Sequence, residues 1–123
     1  RNFGWTIVPC GDTALNLLGL STQIPGVWSY VSDGPYRSYT VDGIKLQFKH
    51  TDRKSEIIGL SEKAALVIQA LRAIGKENIT QKDIKKLSGK LDEAEKSRLL
   101  LEGQRAAAWI YEAIKRICKG ENQ

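Results

Sequence analysis

The chain has 123 residues, 41% of them apolar and 27% charged, with a formal net charge of +5; these values fit one globular domain. No apolar run approaches the ~20 residues that cross a bilayer, and no basic segment with an apolar core opens the chain, so neither a membrane span nor a secretory signal is expected. The charge is uneven: residues 1–60 carry six basic and five acidic side chains, residues 61–123 thirteen and nine. A basic helical half of this kind either meets nucleic acid or an acidic protein, or is simply a solvated surface. The chain begins at Arg1 and holds no methionine, which predicts a domain cut from a longer protein.

In chain order, Trp5–Val8 reads as a short strand that stops at Pro9, which has no N–H for a ladder. Asp12 is placed to cap a helix. Ala14, Leu15, Leu17 and Leu18 give that helix a buried face, and Gly19 ends it. Pro25-Gly26 marks a loop, and Val27–Ser32 is the next strand, with Val27, Ser29 and Val31 on one face and Trp28 and Tyr30 on the other. Asp42-Gly43 is a preferred type I′ pair. Folding there sets Val41 opposite Ile44, Tyr39 opposite Leu46 and Arg37 opposite Phe48, so that apolar residues meet on one face. His50 ends that face as a rim residue.

Beyond Thr51–Lys54 the pattern turns helical. Ile57 and Ile58 add a short strand or pack beneath a loop. Ser61 caps a helix with Ala64, Ala65, Val67, Ile68, Leu71 and Ile74 on its inner side, closed by Gly75. Thr80 with Asp83 forms a capping box for a short helix that ends at Ser88-Gly89, and Asp92 with Glu95 forms a second. The second box starts a helix predicted to run unbroken to Cys118, with Gly103 inside it as a bend or a close crossing. Gly120–Gln123 is expected to fray. Strands first, with one early helix, then three helices, predicts an α+β fold: a small, mostly antiparallel sheet with the three C-terminal helices packed on one face, as a single domain over 1–123.

Few groups are arranged for chemistry. Gly4, Gly11 and Gly19 lack the spacing of a phosphate loop. Cys10 and Cys118 stand far apart without a CxxC pattern; they read as reduced thiols, with a bridge between them as the alternative. With His50 as the one histidine, a structural zinc site is not expected. Asp52-Arg53-Lys54 matches the Asp/Glu-x-Lys spacing of metal-dependent nucleases, but it sits in a turn with no second carboxylate aimed at it. The reading is therefore of a chain without catalytic, cofactor or metal residues, which works by presenting a surface. The candidate surface residues are Tyr36 and Arg37 in a turn, Lys82, Lys85 and Lys86 on a helix, and Arg105 and Arg116 near the C-terminus.

The run Gly11–Leu20, followed by Pro25–Ser32, resembles the AbiEi-type antitoxins of bacterial type IV toxin–antitoxin systems. Their antitoxin domain carries a Gly-x-x-Ala-Leu-x-x-x-Gly-Leu helix and then a strand of this kind; the matching positions are Gly11, Ala14, Leu15, Gly19 and Leu20. The Gly59–Leu66 segment also fits. The resemblance implies a cytoplasmic, non-enzymatic antitoxin of phage abortive infection, opposed to a cognate nucleotidyltransferase-like toxin. It also implies an N-terminal winged-helix domain that binds the operon's promoter DNA, a segment that would precede this chain. The alternative reading is a nucleic-acid-binding module that uses the basic helical half.

Overall fold

The computed structural model describes residues 5–119, so the expected fraying of Gly120–Gln123 concerns residues outside that range. The elements are β1 (Ile7–Pro9), α1 (Gly11–Leu17), β2 (Val27–Ser32), β3 (Arg37–Val41), β4 (Ile44–His50), α2 (Glu62–Ile74), α3 (Gln81–Gly89), α4 (Glu93–Glu102) and α5 (Ala108–Cys118). Single 3-10 turns occupy Lys54–Glu56, Lys76–Asn78 and Gly103–Arg105. The class is α+β, as expected.

The sheet has the order β1-β2-β4-β3. β1 with β2 and β3 with β4 are antiparallel, but β2 runs parallel to β4, with Trp28 beside Leu46 and Tyr30 beside Phe48. The sheet is therefore mixed. The turn after β2 carries the chain past the place that β4 later fills, so β3 ends up on the outside. The hairpin register is as expected, from Arg37 opposite Phe48 to Val41 opposite Ile44. Asp42 and Gly43 both have positive φ, 53° and 79°, as a type I′ turn requires.

Two local readings need correction. β1 includes Pro9, which lies opposite Tyr30. Cys10 donates its N–H to the Ser29 carbonyl at 3.0 Å, and by alternation the Pro9 nitrogen faces the free edge, where no N–H is needed. That same bond holds Cys10 extended as the N-cap of α1, with no side-chain cap, and leaves Asp12 in the first turn instead of at the cap. At the other end, Gly19 donates to Asn16 and Leu20 to Leu15, at 3.1 and 2.9 Å. This is the Schellman closure that a left-handed Gly19 permits. Ala14 of α1 and Leu18 at its C-terminal cap are buried, while Leu17 is exposed.

The main core is helical. Ala14 of α1 and Leu18 just after it pack with Val67, Ile68 and Leu71 of α2, Ile84 and Leu87 of α3, Leu99 of α4, and Ile110, Ile114 and Ile117 of α5. The sheet joins this core through a smaller cluster, where Val8 and Val31 meet Ile57, Ala65 and Leu60. Thus α1 and α2 lie against β1 and β2, whereas α3, α4 and α5 pack chiefly on α2 and on one another. The Ser61 cap and both capping boxes form as expected. Ile57 packs beneath a 3-10 turn instead of forming a strand.

The predicted last helix is two helices. The first ends at Gly103, and Ala106 and Ala107 are extended before α5 begins. The fold-back brings α5 close to Gly103: a Cβ there would lie 2.6 Å from Ile114 Cδ1. Folding back puts Leu99 and Ile114 in one core, which a straight rod would hold apart. Gly103→Ala is therefore expected to destabilise by about 1–3 kcal/mol through overpacking, although alanine favours a helical backbone. In an Ile114→Val background, which lacks the Cδ1 methyl, the penalty should shrink or vanish. Urea unfolding of the two single variants and the double variant checks this; an equal penalty in both backgrounds would place the strain elsewhere.

Candidate interaction surface

The two faces of the sheet differ in composition and in cover. The inner face presents Val8, Val31 and Ser29 near α1 and α2, and the buried Thr13 hydroxyl accepts the Ser29 N–H at 2.7 Å. Its continuation across the hairpin is polar: Lys45, Gln47 and Lys49 of β4, with Ser38 and Thr40 of β3. The outer face carries Trp28 and Tyr30 of β2, Ile44, Leu46 and Phe48 of β4, and Arg37, Tyr39 and Val41 of β3. Tyr30 stacks on Phe48 with centroids 5.2 Å apart, and Tyr39 meets Phe48 edge-on at 5.8 Å. Each such pair contributes roughly 0.5–1.5 kcal/mol beyond burial, so the rings help hold this face, and among the described residues the main partners of β3 and β4 are strands. At its outer end Tyr39, Val41 and Ile44 remain 47%, 52% and 50% exposed. Three large apolar neighbours half open to solvent form a contiguous patch, which is informative where scattered exposed residues are not.

A rim closes one end of this face. The backbone of Gly34 lies so near the Trp5 ring that a Cβ there would fall 2.3 Å from it. Arg37 stands over the same ring, 5.9 Å from its centroid. His50 Nδ1 is 2.9 Å from the Gly34 carbonyl, and Nε2 is 2.9 Å from Asp52 Oδ1. Both ring nitrogens face acceptors, so the imidazolium donates to both. First the Gly34 carbonyl and then Asp52 raise the His50 pKa above its ordinary 6.5. The folded value lies above the unfolded one, so the stability this site contributes is complete below pH 6.5 and is lost as pH rises through the folded pKa. His50 is the one histidine; an NMR titration of its imidazole should give a pKa above 6.5, moved down by Asp52→Asn. An unchanged value in that variant would remove Asp52 from the account.

The sequence-nominated residues lie on separate elements. Tyr36 and Arg37 stand at the start of β3, but Tyr36 turns to the polar face, where its hydroxyl accepts from Gln47 Nε2 at 2.9 Å. Lys82, Lys85 and Lys86 are exposed along one side of α3. Arg116 donates to Gln81 Oε1 at 2.8 Å, tying α5 to the start of α3. Arg105 is a fastener: its guanidinium donates to the Ile58 carbonyl, and its own carbonyl accepts from Ser55 Oγ at 3.1 Å. Asp52, from the nuclease-like triplet, bonds His50. Among the described residues no group of three or more His, Cys, Asp or Glu is placed to hold a metal ion, and no helix is long and apolar enough to cross a membrane. Cys10 and Cys118 are both free thiols. Burial pushes both pKa values up, which leaves them poor nucleophiles.

Sequence alternation identifies which residues share the outer face, but not that its outer end stays half exposed among the described residues. A usable signal was size: β2 turns Val27, Ser29 and Val31 one way, small enough to lie against alanine-rich helices, and Trp28 and Tyr30 the other.

Residues 4–99 match a family of unknown function (DUF6088), and the chain belongs to that family. No curated protein and no solved structure matches it.

Proposed function

We propose that this member of the DUF6088 family is the antitoxin domain of a bacterial toxin–antitoxin system of the AbiEi type. It acts without turnover, in the cytoplasm, by offering the outer face of its sheet to a nucleotidyltransferase-like toxin. The observation that carries the reading is the half-exposed strip Tyr39, Val41 and Ile44, continuous with the Tyr30–Phe48 stack. Aromatic and aliphatic side chains on a rigid sheet lose little conformational freedom when a partner covers them, which is the character of an interface anchor. The Gly11–Leu20 segment supports the same reading through its likeness to the antitoxin motif; its helix, α1, packs against α2 and β2. Promoter DNA would be held by a winged-helix domain preceding this segment. Co-expression of the intact protein with the nucleotidyltransferase-like toxin encoded beside it should restore growth. Continued growth arrest, with the protein folded and abundant, would count against the reading.

The second reading, nucleic-acid binding by the basic helical half, is favoured by the three exposed lysines Lys82, Lys85 and Lys86 on one side of α3. It requires DNA or RNA affinity that falls steeply with salt, and a shallower salt slope when these lysines are replaced by alanine.

A further inference from the structure

The two edges of the sheet are protected very differently. β1 has three residues, and its proline nitrogen faces outward; both features block the addition of another strand. β3 has five residues, Arg37-Ser38-Tyr39-Thr40-Val41, all exposed, with neither proline nor lysine among them. The closing pair of a two-residue hairpin, Val41 with Ile44, is the hydrogen-bonded kind. Alternation then turns the backbone groups of Arg37, Tyr39 and Val41 toward β4, and those of Ser38 and Thr40 toward the open edge. Two N–H groups and two carbonyls are thus aimed outward from a straight, β-prone segment.

We propose that β3 pairs edge to edge with β3 of a second copy of this chain, antiparallel about a two-fold axis at Tyr39. The strand is complementary to itself in this one register. Ser38 faces Thr40 of the other copy in a hydrogen-bonded pair, and the symmetric pair repeats it, so all eight outward backbone groups of the two strands are used. Tyr39 faces Tyr39, and Arg37 faces Val41, on the outer apolar face. Arg37 at one end of each strand then lies beside Asp42 beyond the other end of its mate, so a cation meets an anion at both ends of the interface. Ser–Thr and aromatic pairs are favourable across antiparallel strands. A slip of one residue would turn Ser38 and Thr40 to the apolar face of the mate and part these charges. The interface is a strand edge and not a sheet face, so the dimer is concentration-dependent. It joins two outer faces into one eight-stranded platform.

The test uses the full chain. Sedimentation equilibrium over a wide concentration series should show the mass rising from 13.7 kDa toward twice that value, and Thr40→Pro, which removes an outward N–H but no bond to β4, should keep it at the monomer value. A second test does not depend on the folding of that variant: mild oxidation of variants that each carry one cysteine besides Cys10 and Cys118 reads the register. Tyr39→Cys puts two thiols on the axis, at a Cα separation of about 4.5 Å, within disulfide range. Two copies of Arg37→Cys lie about 13 Å apart along the strands, beyond that range. Tyr39→Cys should cross-link at least about tenfold faster than Arg37→Cys, while Arg37→Cys mixed with Val41→Cys should cross-link well, each bond being mapped by mass spectrometry apart from Cys10 and Cys118. A mass fixed at 13.7 kDa at every concentration, or equal cross-linking of Tyr39→Cys and Arg37→Cys, would overturn the proposal.

Discussion

Arg72→Met should destabilise this protein by about 3–5 kcal/mol, the cost of leaving a buried charge without its partner. The Glu56 side chain is 4% exposed and receives Arg72 Nε and Nη2 at 2.7 and 2.8 Å. The Ala107 N–H also points at Glu56 Oε2, at 3.3 Å. One carboxylate therefore ties the turn after the sheet to α2 and to the N-terminus of α5. The two partners are not equivalent. The Arg72 side chain is 23% exposed and lies 5.9 Å above the Trp109 ring, so it keeps solvent and a π-face when Glu56 is changed. Glu56→Gln should accordingly cost less, about 1–3 kcal/mol, as the loss of charge-assisted hydrogen bonds. Chemical denaturation of both variants checks the order; a larger loss for Glu56→Gln would reverse the assignment of which charge is trapped.

Ile44→Asp should abolish neutralisation of the toxin while leaving the fold intact. Ile44 is half exposed, and among the described residues β4 packs chiefly on β2 and β3, so its substitution should cost the fold no more than about 1 kcal/mol through the lost pair with Val41. At the proposed interface it places a carboxylate against apolar surface. A loss of 2 kcal/mol or more at such an anchor is roughly a thirtyfold fall in affinity. Leu101→Asp, on the exposed side of α4, is the matched control and should neutralise normally. Growth rescue, with a melting temperature lowered by no more than about 5 °C, reads the difference. If both substitutions behave alike, the outer face has no special standing.

The parts of this structure legible in the sequence are those decided by neighbours along the chain. The hairpin is set by Asp42-Gly43 together with strict alternation on both sides. The helix starts at Thr80 and Asp92 are set by side chains reaching three residues forward. What was hidden depends on contacts between distant segments. A helical period runs straight through Gly103, and its closeness to the Ile114 methyl, eleven residues on, is seen only in the fold. Alternation in β2 and β4 is the same whether the strands run parallel or antiparallel, so the pairing of Trp28 with Leu46 carried no sequence signal. Glu56 resembles any turn carboxylate until Arg72 and the start of α5 close over it. The nominated surface residues were chosen for exposure and charge. By that rule Arg105 qualified despite its bonds to the Ile58 and Ser55 segments, and Tyr39, Val41 and Ile44 were passed over as ordinary strand residues.

In the proposed function the half-exposed apolar side of the sheet is the working surface and the helices are its support. Backbone NMR shift mapping of the labelled chain, titrated with the nucleotidyltransferase-like toxin, tests this most directly. The expected result is a cluster of perturbed amides on β3 and β4, centred on Tyr39, Val41, Ile44 and Leu46. Perturbations confined to Lys82, Lys85 and Lys86 on α3, or none at saturating toxin, would contradict it.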